Sequence, residues 1–408
     1  MWRTLLVSIV TAALLPFLSA CTVSPTLGWT YVPDATSIWG LTIANTDDAG
    51  FIIGGGYNSQ YNMYALKLNA QGFRDWDMTY SNLSDEGSQT ELWRNEARGI
   101  RQTADGGYIL VGSGKHDSDP VDLPDKSFLL VKTGATGAVD WSRAYAPPNP
   151  YSSGKACVNN HPYALETTSD GGYFVAGSSY VGGYNLATVL KTDAAGNVEF
   201  LKVINDNAKA YDQIITGARQ TSDGGYVVCG YSENGSPHGY LALVIKLDAD
   251  GGLVFSSTYQ YAPGGYGAIA LAITPTLDGG YVLCGDLVNN ITKVLNHGPW
   301  MAKLNENGDE ILWEYALNEA NAIYNPRTIE ETPQGDLLAG GKSAAGAMTL
   351  AKFTGNGALL WTYTLPDTLP DVTANDLTLT GDGGCVLVGS GINSTTVVAK
   401  IVNVFAVE

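Results

Sequence analysis

Short apolar runs punctuated by glycine dominate the chain. One such run, Ala97–Thr103, is followed by Asp105-Gly106-Gly107 and then by a second run, Tyr108–Gly112. Two alternating runs joined by Asp-Gly predict a β-hairpin with a type I′ turn, whose two central residues take positive φ. After a variable stretch a third apolar run ends in lysine: YALKLN, FLLVKTG, ATVLKTD, ALVIKLD, PWMAKLN, TLAKFTG and VVAKIV. A turn containing Gly72, Gly137, Gly196, Gly251, Gly308 or Gly357 then leads to a fourth run carrying Trp76, Trp141, Phe200, Phe255, Trp313 or Trp361. These rings are expected to wedge between neighbouring sheets, because one amphipathic sheet cannot bury itself alone.

The four-run unit recurs. QTADGGYILVG, TTSDGGYFVAG, QTSDGGYVVCG and PTLDGGYVLCG are close copies, and NTDDAGFIIGG, ETPQGDLLAGG and LTGDGGCVLVG are degenerate ones. Their turns centre on Asp48, Asp105, Asp170, Asp223, Asp278, Gln334 and Asp382. That spacing is close to the roughly 50 residues of one four-stranded propeller blade. The last copy stops after its third run, and GWTYVPD at Gly28–Asp34 matches the LWTYTLPD of residues 360–367. The N-terminal strand is therefore expected to complete the last blade and remove the exposed edge. The prediction is an all-β, seven-bladed β-propeller occupying 28–408 as a single domain; a β-solenoid would leave the spare strand unexplained.

Composition narrows the partners. Of 408 residues 45% are hydrophobic, 15% are charged, 49 are glycine and 17 proline, which is too apolar for a disordered chain. Lys+Arg 22 against Asp+Glu 40 gives a net charge of −18, so nucleic acid is a poor partner.

Residues 1–20, MWRTLLVSIVTAALLPFLSA, have the form of a secretory signal peptide. Leu18-Ser19-Ala20-Cys21 resembles the lipobox of bacterial lipoproteins. That resemblance implies a lipid on Cys21, a linker over 21–27, and a place in the bacterial cell envelope, at the outer membrane or cell surface. Cys229 and Cys284 occupy the same place in two repeats, too far apart in neighbouring blades for a disulfide, and are expected to be small core residues. Neither metal-ligand spacing nor a cofactor motif is present among cysteines and the four scattered histidines.

The repeats resemble those of exported bacterial proteins with DGGY-type propeller units. KTGATGAVDW and KLNENGDEILW also resemble the quinoprotein-like (BamB-type) repeat, found in quinone-dependent dehydrogenases and in a lipoprotein propeller of outer-membrane assembly. The dehydrogenase's cofactor bed of adjacent disulfide, Trp platform and calcium is not recognisable here. The likeness speaks for fold and weakly for function.

Variable loops should all lie on one face: 113–127, 231–240 and 286–299 between second and third strands, and 80–96, 145–162 and 204–214 between blades. Such loops on a rigid scaffold form a binding surface. Arg98 and Arg327 hold equivalent places just before the innermost strand, where other repeats have Leu41, Tyr163, Thr216, Leu271 and Asn375. Two arginines there could receive a carboxylate, sulfate or phosphate, or simply pair with Glu96, Glu330 or Asp376. His161 and Tyr163, with Asn159 and Asn160, make a polar cluster beside them. Trp93, Tyr151, Tyr180, Tyr211, Tyr266 and Tyr324 offer faces for sugars or proteins. The acids of HDSDPVDLPD at 116–125 lack EF-hand spacing. G-x-S-x-G, Walker and H-E-x-x-H motifs are absent. The sequence thus points to a monomeric, lipid-anchored binding or scaffold propeller without catalysis or cofactor, whose partner is an envelope protein or a glycan. The alternative is a carbohydrate-active propeller acting as a sugar-binding module, lyase or glycosidase.

Overall fold

A computed structural model describes residues 24–405 except 35–36, 58–61, 82, 85–90, 94–95, 117–125, 154, 205–211, 235–238, 262–265, 289–294, 317–322, 367–370 and 392–394. The signal segment, Cys21, Tyr211 and nearly all of loop 116–125 therefore lie outside the described residues. Those described form strands and turns without a helix, in seven sheets around a ring: a seven-bladed β-propeller. Blade 1 comprises Ile38–Asn45, Phe51–Tyr57, Asn62–Leu68 and Arg74–Tyr80, paired antiparallel in chain order. The innermost strands of blades 2 to 7 are Gly99–Gln102, Val158–Thr167, Asp212–Gln220, Gly267–Pro275, Tyr324–Glu331 and Val372–Leu379.

Blade 7 takes its outer strand from the N-terminal end. Thr26–Tyr31 pairs antiparallel with Thr396–Val402, from Thr26 opposite Val402 to Tyr31 opposite Val398. Thr26 and Leu27, expected in the linker, already belong to this strand. At the same joint the Thr396 hydroxyl accepts from the Gly40 N–H at 2.8 Å and donates to the Ile38 carbonyl at 2.7 Å. The connection over 80–96 also differs from expectation, since it contains short strands at Leu83–Ser84 and Glu91–Trp93, the latter pairing with the end of Tyr108–His116.

The Asp-Gly turns depart from the type I′ expectation. Only one residue per turn is left-handed, for example Gly106 at φ 79°, and the aspartate is not. The aspartate instead accepts hydrogen bonds. Asp105 Oδ1 takes them from Thr103 Oγ1 at 2.5 Å, the Gly107 N–H at 3.0 Å and Lys132 Nζ at 3.1 Å. The lysine ending each third strand thereby finds its partner: Lys67–Asp48, Lys191–Asp170 and Lys246–Asp223 are 2.8–2.9 Å apart, and Lys400–Asp382 is 2.5 Å. In blade 6 the acid has moved two places, and Asp336 meets Lys352 at 2.8 Å. The lysine and its fellow donors hold Asp105 at about 2. For Asp48, Asp170 and Asp223 burial pushes upward, yet the same donors outweigh it and bring each to about 2.

The two glycines of the turn do different work. A Cβ on Gly107 would lie 2.1 Å from the Thr133 carbonyl oxygen, whereas one on Gly106 would meet nothing within 4 Å. The first place needs only positive φ, which is why Ala49 is accommodated there at φ 60°. The outer-strand rings do wedge between blades. Trp29, Trp76, Trp141, Phe200 and Phe255 cover Gly72, Gly137, Gly196, Gly251 and Gly308 of the following blade, leaving no room for a Cβ. Between blades 3 and 4, Phe174 and Tyr226 stack with centroids 3.9 Å apart. Cys157, Cys229, Cys284 and Cys385 are buried free thiols.

Candidate functional site at the channel mouth

Every strand lies antiparallel to its neighbour, so the Asp-Gly turns share one face and the variable loops share the other. The innermost strands begin on the variable-loop face, and near their start the ladder is interrupted. Register slips between Gly40 and Thr42, Pro162 and Ala164, Ile215 and Gly217, Ala270 and Ala272, Tyr324 and Thr328, and Ala374 and Asp376. The skipped residues include Leu41, Tyr163, Thr216, Leu271, Arg327 and Asn375. In blade 2 the strand starts at Gly99, directly after Arg98. A bulged residue has no ladder partner and its side chain is re-aimed. Here all seven are re-aimed into the channel, which places them inside or at the edge of the strand rather than wholly before it.

The bulges line a cup of about 460 Å³. Arg98, Tyr163, Arg327 and Asn375 all border it, with Leu41, Thr216, Ile269 and Leu271 supplying much of the remaining wall. Arg98 is ion-paired with Glu96 and its guanidinium lies 5.4 Å from the centre of the Tyr163 ring. Trp39 Nε1 holds the other carboxylate oxygen of Glu96 at 3.0 Å. Arg327 differs from the bracing alternative. It donates to Asn375 Oδ1 at 2.9 Å and Asn325 Oδ1 at 3.4 Å, not to Glu330 or Asp376. Asn375 is itself fixed by bonds to the Gly40 carbonyl at 2.8 Å and Ser390 Oγ at 2.7 Å. Desolvation lowers the Arg327 pKa, nearby Asp286 raises it and Arg98 lowers it further.

His161 stacks on Tyr163 at 6.4 Å but is not part of the cup wall. Burial, then Lys126 and Arg98, push it down to about 4, so it is neutral at neutral pH. Asn160 is buried and donates to the Lys126 and Cys157 carbonyls. The side chain of Trp93 lies outside the described residues. Tyr151 is exposed on a loop, and Tyr180 is exposed near the end of the strand Tyr173–Val181.

The floor of the cup is a charge lattice that sequence reasoning did not foresee. Arg101 meets Glu166 at 3.0 Å, Arg219 meets Glu166 at 3.0 Å, and Arg219 meets Glu330 at 2.6 Å. Four blades are thus linked across the axis. Asp376 adds blade 7 by accepting from Thr42 Oγ1 at 3.1 Å, the Ile43 N–H at 3.0 Å and Thr328 Oγ1 at 3.3 Å. Beneath it lies a separate cavity of about 340 Å³. The signal was present in outline: Arg101, Glu166, Arg219 and Glu330 fall at one place in the repeat, four residues before the turn centre. One more acid was missed, Asp286, at the mouth end of the otherwise apolar strand Tyr281–Val288. It borders the cup, is 4% exposed, and is pushed up to about 6 by burial against the opposing pull of Arg327 and Lys342. Among the described residues no group of three or more His, Cys, Asp or Glu is placed to hold a metal.

Neither a protein-family model nor a curated protein matches this chain. Solved structures do. It is similar to a lectin from Burkholderia pseudomallei, at TM-score 0.58 and 11% identity over 91% of this chain and 97% of that one. It is similar to a catalytically inactive virginiamycin B lyase from Staphylococcus aureus with quinupristin, at TM-score 0.53 and 12% identity over 93% and 99%. A Hadza microbial sialidase aligns at TM-score 0.52 and 12% identity over 84% of this chain and 73% of that one. At such identities the likeness establishes shared architecture, and this chain is a β-propeller built like those three.

Proposed function

We propose that this chain is an extracytoplasmic, lipid-anchored binding propeller whose channel-mouth cup receives an acidic group of an envelope protein or glycan. The observation that carries the reading is the convergence of Arg98 and Arg327 on one blind cup. Among the described residues Arg327 has only neutral amide oxygens as hydrogen-bond acceptors. A guanidinium bonded to neutral groups retains its charge for a bidentate partner. The charge lattice closes the cup below, so a ligand enters and leaves by the variable-loop face. Of the floor's acids, Glu166 and Glu330 are committed to arginine and Asp376 to hydroxyl and N–H donors. No nucleophile–base pair borders the cup among the described residues, which favours binding over catalysis.

The second reading is carbohydrate-active. Tyr163 under Arg98 provides an aromatic face in the cup, and a lectin and a sialidase share the architecture. Crosslinking in intact cells with pull-down through the full-length chain, paired with a glycan array, separates these readings. A single stoichiometric protein or a retained acidic glycan, lost at least tenfold in Arg98→Ala/Arg327→Ala, is the expected result. Capture unaffected by the double substitution would overturn the cup as the binding site. Metabolic labelling with a fatty acid, compared with Cys21→Ala, tests the anchor.

A further inference from the structure

Asp286 is an acid where the repeat does not ask for one. The corresponding residues of the other blades are Gly56, Ser113, Ser178, Tyr231, Lys342 and Ser390. Neither the strand nor the blade joint therefore requires a carboxylate there. It stands opposite Ile269 in the ladder, nearly fully buried and bordering the cup. No hydrogen bond or ion pair joins its carboxylate to any described residue. Buried ionised carboxylates are ordinarily paired, because an unpaired one carries the full desolvation penalty.

Its natural counter-charge is in the same cup but out of reach. Arg327 feels Asp286 electrostatically, yet the two are not within ion-pair distance, and Arg327 spends its bonds on Asn325 and Asn375. Ile269 and Leu271 supply apolar wall to the same cup. A negative and a positive group that share one cup without pairing are complementary to a molecule carrying both charges in the reverse order.

We infer that the cup binds a free α-amino acid, its ammonium on Asp286, its carboxylate on Arg327 and its side chain against Ile269 and Leu271. This rests on the cup being the ligand site, and it goes beyond the acidic group of a protein or glycan by naming a small zwitterion as an occupant. The ammonium donates to a carboxylate that no described residue partners, and the ligand's carboxylate accepts from the Arg327 guanidinium. A chemically similar molecule lacking the ammonium leaves the buried Asp286 carboxylate without that donor, which is the basis of discrimination.

The test is calorimetric and thermal-shift titration of the full-length chain with the twenty standard L-amino acids. The best binder is then compared with its deaminated acid and its decarboxylated amine. The expected result is at least one amino acid binding tenfold or more tightly than either half-molecule. Asp286→Asn should weaken the amino acid at least tenfold and leave the deaminated acid unchanged, while Arg327→Ala weakens both. Asp286→Ser, the residue of three other blades, serves as a second variant should Asn disturb the strand. If the deaminated acid binds as well as the amino acid and ignores Asp286→Asn, the amino-acid inference is wrong and the arginine cup stands. If no amino acid and no deaminated acid bind, the inference is wrong, and the glycan array with the Arg98→Ala/Arg327→Ala control decides the cup separately.

Discussion

The two ends of the innermost strands are built from one repeat and treated in opposite ways. At the Asp-Gly end each described carboxylate of the turn has a lysine, a threonine or a backbone N–H to accept from, as Asp105 does with Thr103, Gly107 and Lys132. At the bulged end, among the described residues, Arg327 bonds only to amide oxygens and the Asp286 carboxylate has no partner. The lesson is that a repeat protein can close its chemistry on one face and leave it open on the other. Satisfaction marks the structural end, and a buried carboxylate without a described partner marks the end proposed to receive a ligand. The Arg101–Glu166–Arg219–Glu330 lattice stands between the two, and belongs with the satisfied end.

Breaking the satisfied end should cost most. Gly107→Ala forces a Cβ against the Thr133 carbonyl and is expected to destabilise by about 3 kcal/mol or more, whereas Gly106→Ala should cost about 1 kcal/mol for its left-handed φ alone. Urea unfolding of the two variants side by side checks the contrast. Arg219→Met leaves Glu330 without its ion-pair partner at the channel floor, for an expected loss of about 3 kcal/mol. An Arg219→Met/Glu330→Leu double variant should recover most of that loss, and no recovery would show the pair is not the cause.

The open end should respond with the opposite sign. Asp286 has its pKa raised to about 6, so its folded form prefers the proton. Its contribution is most favourable below the ordinary carboxylate value and is lost as pH rises toward 6. Asp286→Asn is therefore expected to stabilise the ligand-free protein by about 2 kcal/mol at pH 7 and by little at pH 3.5. The turn acids run the other way. With Asp48, Asp105, Asp170 and Asp223 held at about 2, their stabilisation is complete above the usual carboxylate pKa and is lost as pH falls toward 2. Thermal melts of wild type and Asp286→Asn from pH 2 to 8 resolve both windows. The smallest effect belongs to Arg327→Ala, whose stability change should stay within about 0.5 kcal/mol because its bonds are solvent-exposed. A large loss there would make Arg327 a brace and remove it from the ligand site.

Much of the ring was legible before any coordinates. Gly28–Asp34 matched residues 360–367, and the strand does close blade 7. The turn type was misjudged because Asp-Gly reads as a hairpin signal from two residues, while the third-strand lysine that recruits the aspartate lies a whole strand away. Arg98 and Arg327 were visible as equivalents, and both reach the cup. Asp286 was passed over because it was counted with the variable loop that begins there rather than with the strand that ends there. Strand alternation identifies a buried position but not whether its polar group has a partner.

Sequence by itself determined the strand pattern, the seven-fold repetition, the glycine punctuation and the closure of the last blade. Each is written in local periodicity or in likeness between segments. Only the tertiary structure decided that the seven equivalent residues face one axis, that Glu166 and Glu330 take Arg219 while Arg327 bonds to amides, and that Asp286 finds no partner among the described residues. Those outcomes depend on which distant residues the closed ring brings within about 3 Å inside a poorly solvated channel, where a partner's presence or absence sets the energy of a charge.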